Sequence, residues 1–245
     1  MARIQLRDTT IYLQDGLAGS AVVGVTGASI GDTTCDFASV ALNTDVVDQV
    51  PVGARFTIDG DVTVYTVTGR TPTDGTTTDL TFTPSLVADA TPAAAVTFLP
   101  QRLEIKIGEG DLSFSETREF IYDLDRDQLD TVRQGQDQPM SVDLAFTFEY
   151  VTAETDNPPT PVDALKRIGE ASEWVSSSSD LCEPYALDVY VEHCVPCGTD
   201  EDQDLLLPDF RYESLDFSIQ DASISVSGQC NATEATSTRS DLPNC

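Results

Sequence analysis

Pro139-Met-Ser-Val-Asp-Leu-Ala-Phe-Thr-Phe-Glu-Tyr-Val151 is the stretch that decides the fold class. Met140, Val142, Leu144, Phe146, Phe148 and Tyr150 take every second position, while Ser141, Asp143, Ala145, Thr147 and Glu149 take the others. A period of two means a β-strand with one dry and one wet face. At ~3.3 Å per residue the stretch would span about 40 Å, twice a usual strand. A strand that long is expected to run beyond its own domain and be continued by something else.

The same period recurs on both sides. Leu187, Val189 and Val191 alternate with Asp188, Tyr190 and Glu192. Leu215, Phe217 and Ile219 precede Ile224 and Val226, with Gln220-Asp-Ala222 between them, which reads as a hairpin. Leu103, Ile105 and Ile107 alternate before a turn at Gly108-Glu-Gly110. One helix is signalled. Thr160 is its cap, Pro161 its first residue, and Asp163 sits three residues after the cap, near the positive end of the dipole. Val162, Leu165, Ile168 and Trp174 supply its apolar stripe, and Ser176 to Ser179 end it. One helix among many strands predicts a mainly β chain, a β-sandwich or barrel with a flanking helix, and Trp174 is expected to pack that helix on the sheet.

Residues 32–100 differ in texture, being rich in Thr, Ala, Val, Pro and Gly. Turns are expected at Asp59-Gly60 and Thr73-Asp-Gly75, and Val52 to Gly60 with Val62 to Thr68 reads as a hairpin. Residues 32–100 are therefore read as a small β-barrel-like domain and 101–245 as the main domain. Residues 1–31 are read as an N-terminal strand or arm, with Ile4 to Leu13 a candidate to rejoin the main domain.

The chain has 245 residues, with 42 Asp and Glu against 13 Lys and Arg, a formal net charge of −29. Residues 1–100 hold 4 basic and 11 acidic residues and residues 101–245 hold 9 and 31, so the main domain carries −22 of the total. This balance speaks against stable nucleic-acid binding, which needs clustered Lys and Arg, and against an anionic membrane surface. No apolar run is long enough to span a bilayer. The N-terminus has no apolar signal segment, so the chain is expected to be made in a reducing cytoplasm, where structural disulfides are not expected.

Sequence motifs for catalysis are missing: there is one histidine, His193, and no Gly-rich phosphate loop, Gly-x-Ser-x-Gly or His-Glu-x-x-His. The chain is read as a non-enzyme without cofactors. Asp123, Asp125 and Asp127, and again Asp200, Asp202 and Asp204, imitate the start of a calcium loop, but neither run has the Gly at position 6 or the Glu at position 12, so both are read as solvated loop acids. His193 with Cys194 and Cys197 is the remaining metal candidate. One Cys-x-x-Cys is only half of a zinc site; free thiols and a Cys194–Cys197 disulfide formed outside the cell are the other readings.

Three stretches resemble the major tail tube proteins of tailed bacteriophages. The first is Ile105-Lys-Ile-Gly-Glu-Gly-Asp-Leu-Ser-Phe-Ser-Glu-Thr-Arg118, continuing through Tyr122-Asp-Leu-Asp-Arg126, Leu129-Asp-Thr-Val-Arg133 and Gln138-Pro-Met140. The second is Val162-Asp-Ala-Leu-Lys-Arg-Ile-Gly-Glu-Ala-Ser-Glu-Trp174, and the third Leu207-Pro-Asp-Phe-Arg-Tyr-Glu-Ser-Leu215 with Ile224-Ser-Val-Ser-Gly228. They cover most of residues 101–233, leaving 32–100 as an attached decoration.

The resemblance implies a β-sandwich with a flanking helix, assembled into hexameric rings stacked as a tube, in which long hairpins from six subunits close an inner barrel around passing DNA. It implies as partners other copies of the chain, the tape measure protein and DNA in the lumen, and the tail terminator and tail tip proteins, all in the virion. Asp143, Glu149 and Asp216 become candidates for acids facing the lumen, with Gln220 beside them. Residues 116–138 become a long polar connector between subunits, with Arg118, Tyr122, Arg126 and Arg133 as contact candidates. A negative lumen would repel the phosphate backbone and let DNA slide. The rival readings are a tail-tip or surface-binding β-module and a glycoside hydrolase using paired carboxylates.

Overall fold

The structure, a computed structural model, describes residues 9–43, 50–72, 77–105, 112–125, 128–147, 159–178, 180, 182–194, 202–218, 220 and 222–240. The expected class is the observed one: mainly β, with one α-helix among the described residues and a small closed barrel.

The largest sheet has eight strands. Seven run in the order β8 (Arg102–Ile105), β1 (Thr9–Gln14), β13 (Leu187–His193), β14 (Asp202–Ser218), β15 (Ser223–Cys230), β12 (Met140–Thr147) and β9 (Leu112–Ser115). The eighth, β16 (Thr236–Ser240), pairs with the first half of β14. The backbone at Asp209 is left-handed, and Phe210 beside it faces both Leu187 of β13 and Cys230 of β15. Before that point β14 pairs with β13, and after it with β15.

β12 follows its sequence pattern. Met140, Val142, Leu144 and Phe146 are buried, whereas Ser141, Asp143 and Thr147 are exposed. Residues 148–151 of the long alternating stretch lie outside the described residues. The hairpin expected around Gln220 is present, with β14 and β15 antiparallel and Phe217 opposite Ile224.

The buried face packs on a short helix, α1 (Pro161–Lys166). The Thr160 hydroxyl accepts from the Asp163 amide at 3.2 Å, and the Asp163 carboxylate accepts from the Thr160 amide at 3.0 Å, a closed capping box. The helix is shorter than its apolar stripe suggested. Arg167 turns left-handed as the C-cap and Gly169 follows it, so Ile168 points outward into solvent. Trp174 comes back into the core beside Ala164 and Leu165.

The six-stranded barrel runs β2 (Gly19–Val23), β3 (Thr34–Leu42), β6 (Thr77–Thr83), β5 (Tyr65–Pro72), β4 (Arg55–Ile58), β7 (Ala95–Leu99) and closes back on β2. It therefore begins before residue 32, because β2 is needed to close it. The expected hairpin is β4–β5, with Phe56 opposite Tyr65. The turn at Thr73-Asp-Gly75 lies outside the described residues. Phe37, Phe56, Tyr65, Phe82 and Phe98 fill the centre, with Phe56 within 5.3–6.0 Å, centroid to centroid, of the other four rings. Such contacts add ~0.5–1.5 kcal/mol each beyond area burial.

The barrel is inserted between neighbours. β1 and β8 are hydrogen-bonded partners, with Gln14 opposite Arg102, and the whole barrel lies between them in sequence. Asp15 ties the junction together. Its fully buried carboxylate accepts from the Leu17 amide at 3.1 Å, the Gln101 amide at 2.6 Å, the Gln101 side chain at 3.2 Å and the Val175 amide at 3.2 Å. Burial raises its pKa to about 6 against the pull of those four donors. Val175, from the connection after α1, packs into the barrel's own core. On the surface beside it, Arg70 of β5 grips Glu173 with both terminal nitrogens, at 2.7 and 3.1 Å.

Candidate functional site

The site grows from the wet face of four strands: β9, β12, β15 and the second half of β14. Register places its side chains in rows. Ser113, Asp143, Ser227 and Ser214 form one row, and Ala145, Ser225 and Asp216 the next. Ser115, Ser141, Gln229 and Arg211 form a third. Two of these rows border a shallow groove of about 260 Å³, lined by Ser113, Asp143, Ser214, Asp216, Ser225 and Ser227 among others. Ser214 and Ser227 share a hydrogen bond of 2.7 Å across it.

Asp143 and Asp216, singled out from strand parity, are thus on one face of one groove, and both are exposed. Glu149 lies outside the described residues. Gln220 is exposed just beyond β14. The serines were legible as the polar half of an alternation but were not singled out. They make the face smooth, with short hydroxyls and sparse carboxylates.

Among the described residues both outer edges of this four-stranded section are open: β9 pairs only with β12, and residues 211–217 of β14 pair only with β15. On the reverse, apolar face, Phe114 of β9 and Phe217 of β14 stand about half exposed at these two edges. An open edge with an exposed apolar rim is a template for another strand.

Residues 116–138 are not a polar connector. They form a two-stranded sheet of β10 (Arg118–Asp125) and β11 (Gln128–Asp137). Phe120, Ile121, Tyr122, Leu124 and Val132 on it are 45–65% exposed. Apolar side chains leave both faces because no core lies under either. Arg118 pairs with Glu234 and Arg133 with Asp123, both on the surface; Arg126 lies outside the described residues. A lone two-stranded hairpin is marginal in water.

The metal candidates do not converge. The His193 ring nitrogen Nδ1 lies 3.0 Å from the Thr9 hydroxyl. Cys194, just past the end of β13, is disulfide-bonded, against the expectation of reduced cysteines, and its thiolate is thereby withdrawn from any zinc set. Cys197 lies outside the described residues, and Cys182 and Cys230 are free thiols. Asp123 of the first calcium-like run is occupied by Arg133 and Thr131. Among the described residues no group of three His, Cys, Asp or Glu is placed to hold a metal, and no helix is long and apolar enough to cross a membrane. In comparisons with known proteins, no family model, no curated protein and no solved structure matches the chain.

Proposed function

We propose that this chain is a self-assembling tube subunit of the phage tail type, whose serine-lined face forms the wall of a channel for DNA. The observation that carries the reading is a polar sheet face bounded, among the described residues, by two open edges, β9 on one side and residues 211–217 of β14 on the other. Joining the β9 edge of one copy to the β14 edge of the next removes both edges and covers Phe114 and Phe217. The β10–β11 arm, apolar on both faces, reaches the neighbouring copy or ring.

Six copies would contribute about 24 strands. At ~4.8 Å between strands the wall measures roughly 115 Å around, or about 37 Å across before strand tilt widens it. That admits a double helix. Hydroxyls hydrate the wall without charge, and Asp143 and Asp216 repel phosphate, so the backbone slides past without lasting contacts. In this reading the chain is a virion protein. Its partners are its own copies, the tape measure protein and DNA in the lumen, and the terminator and tip proteins at the tube ends.

Negative-stain microscopy of the purified protein tests the assembly. Rings or tubes with an open centre are expected, and a uniform field of monomers would overturn it. Where tubes form, Asp143→Lys with Asp216→Lys should slow DNA release. Unchanged release kinetics would remove the electrostatic role while leaving the tube.

A further inference from the structure

Arg211 is the single Lys or Arg in β9, β12, β14 and β15. It stands on the serine face, in the row of Gln229, Ser141 and Ser115. A guanidinium is the side chain best shaped to grip a phosphate with two parallel hydrogen bonds. Its presence on a wall that should not hold DNA calls for an explanation.

The neighbouring loop supplies one. Arg211 Nη2 donates to the Glu183 carboxylate at 2.6 Å, and Arg211 Nε donates to the Pro184 carbonyl at 3.0 Å. Two consecutive residues thus occupy two of the three guanidinium nitrogens. Glu183 is itself held in place. It accepts from the Ser178 hydroxyl at 2.7 Å and from the Asn231 side chain at 3.3 Å. Ser178 and then Arg211 hold its carboxyl below the usual range, so it stays charged as the pH falls. The pair is partly shielded, with side-chain exposures of 23% for Arg211 and 33% for Glu183.

Resting on the channel reading above, we propose that Glu183 masks Arg211, so that a polyphosphate on the serine face meets a guanidinium already neutralised and held at Nε and Nη2. Glu183 is a positioning residue in this scheme. It touches no DNA but keeps the one cation of the wall turned inward and neutralised. Ser178 and Asn231 hold the mask.

The masking is read on the full-length protein by following the Arg211 Nε–H resonance while inorganic tripolyphosphate is added. In the wild type the resonance should move only weakly, at high tripolyphosphate. In Glu183→Gln it should move saturably, with apparent affinity roughly tenfold higher than in the wild type, as expected for one released charge-assisted hydrogen bond. The shift should weaken with added salt and vanish in Glu183→Gln with Arg211→Gln. Equal movement in wild type and Glu183→Gln, or none in either, would overturn the proposal. If Glu183→Gln loses the fold, Glu183→Asp, whose shorter carboxylate leaves the guanidinium half-paired, is read by the same criterion. The measurement does not depend on tube formation. Absent tubes with a masked arginine would fail only the channel reading, and present tubes with an unmasked one would fail only this proposal.

Discussion

The barrel and the four-stranded serine face are both β, yet one is finished and the other is not. The barrel closes on itself, buries five aromatic rings at its centre and leaves no strand edge open. Its two arginines in the described strands, Arg55 and Arg70, both point home, Arg55 to the Pro100 carbonyl and Arg70 to Glu173. Among the described residues the serine-faced section has two open edges, half-exposed Phe114 and Phe217, and an arm with apolar side chains on both faces. Closure spends a sheet's hydrogen-bonding capacity internally, whereas an open section keeps it for a partner. In the proposed tube, such a chain separates what must be stable alone from what becomes stable in company.

The sharpest way to break this contrast is on the arm. Tyr122→Asp with Leu124→Asp should abolish rings and tubes in the microscope while shifting the monomer's melting temperature little, since exposed substitutions usually change stability by less than ~0.5 kcal/mol. The barrel should respond the other way. Phe56→Ala empties the centre of the aromatic cluster and should cost about 3–5 kcal/mol, seen as a melting temperature lower by roughly 6–20 °C. If assembly survives that loss at low temperature, the two regions are separable in energy as well as in topology.

Asp15 joins them and gives a pH signature. Its folded pKa is raised by burial to about 6 from the ordinary 3.8 of an aspartate. The folded state therefore holds its proton more tightly, and the stability linked to that proton is full below about 4 and lost as pH rises through about 6. At ~1.36 kcal/mol per unit the change amounts to about 3 kcal/mol. Denaturant titrations of wild type and Asp15→Asn between pH 4 and 6.5 should show the wild type losing stability relative to the variant by about that amount. A constant difference would mean that Asp15 ionises as easily folded as unfolded. The smallest effect belongs to Arg70–Glu173. With the Glu173 side chain 43% exposed, a double-mutant cycle with Arg70→Ala and Glu173→Ala should give a coupling of only ~0.2–1 kcal/mol.

How far these features could be read from the residues follows from where their causes lie. Met140 to Thr147 was plain because a buried face and a wet face impose a period of two on the side chains. The helix start was plain because Thr160 and Asp163 act on each other three residues apart. Its end was not, because it depends on Arg167 accepting a left-handed backbone. β2 was missed because Gly19 to Val23 is five residues long and shows no contrast until β3 and β7 flank it. The arm was mistaken for a connector for the opposite reason: with no core on either side, Ile121 breaks the alternation of Phe120, Tyr122 and Leu124. Asp15 was illegible because its donors come from residues 17, 101 and 175, brought together only by the fold. Asp143 and Asp216 were found by parity, whereas the Glu183–Arg211 pair needed the loop after Ser178 to fold back.

The pairing of Gln14 with Arg102 has one more consequence. Chain leaving the sheet at residue 14 returns at residue 102 one strand spacing away, about 4.8 Å. Seen from the sheet, the intervening domain is a loop with almost no net displacement, and its size does not alter the register on either side. The junction is therefore a socket. Another domain with neighbouring termini could be grafted there, and if the subunits polymerise it would be displayed at a fixed repeat along the filament, in an orientation set by whatever replaced the contacts of Asp15 and Glu173.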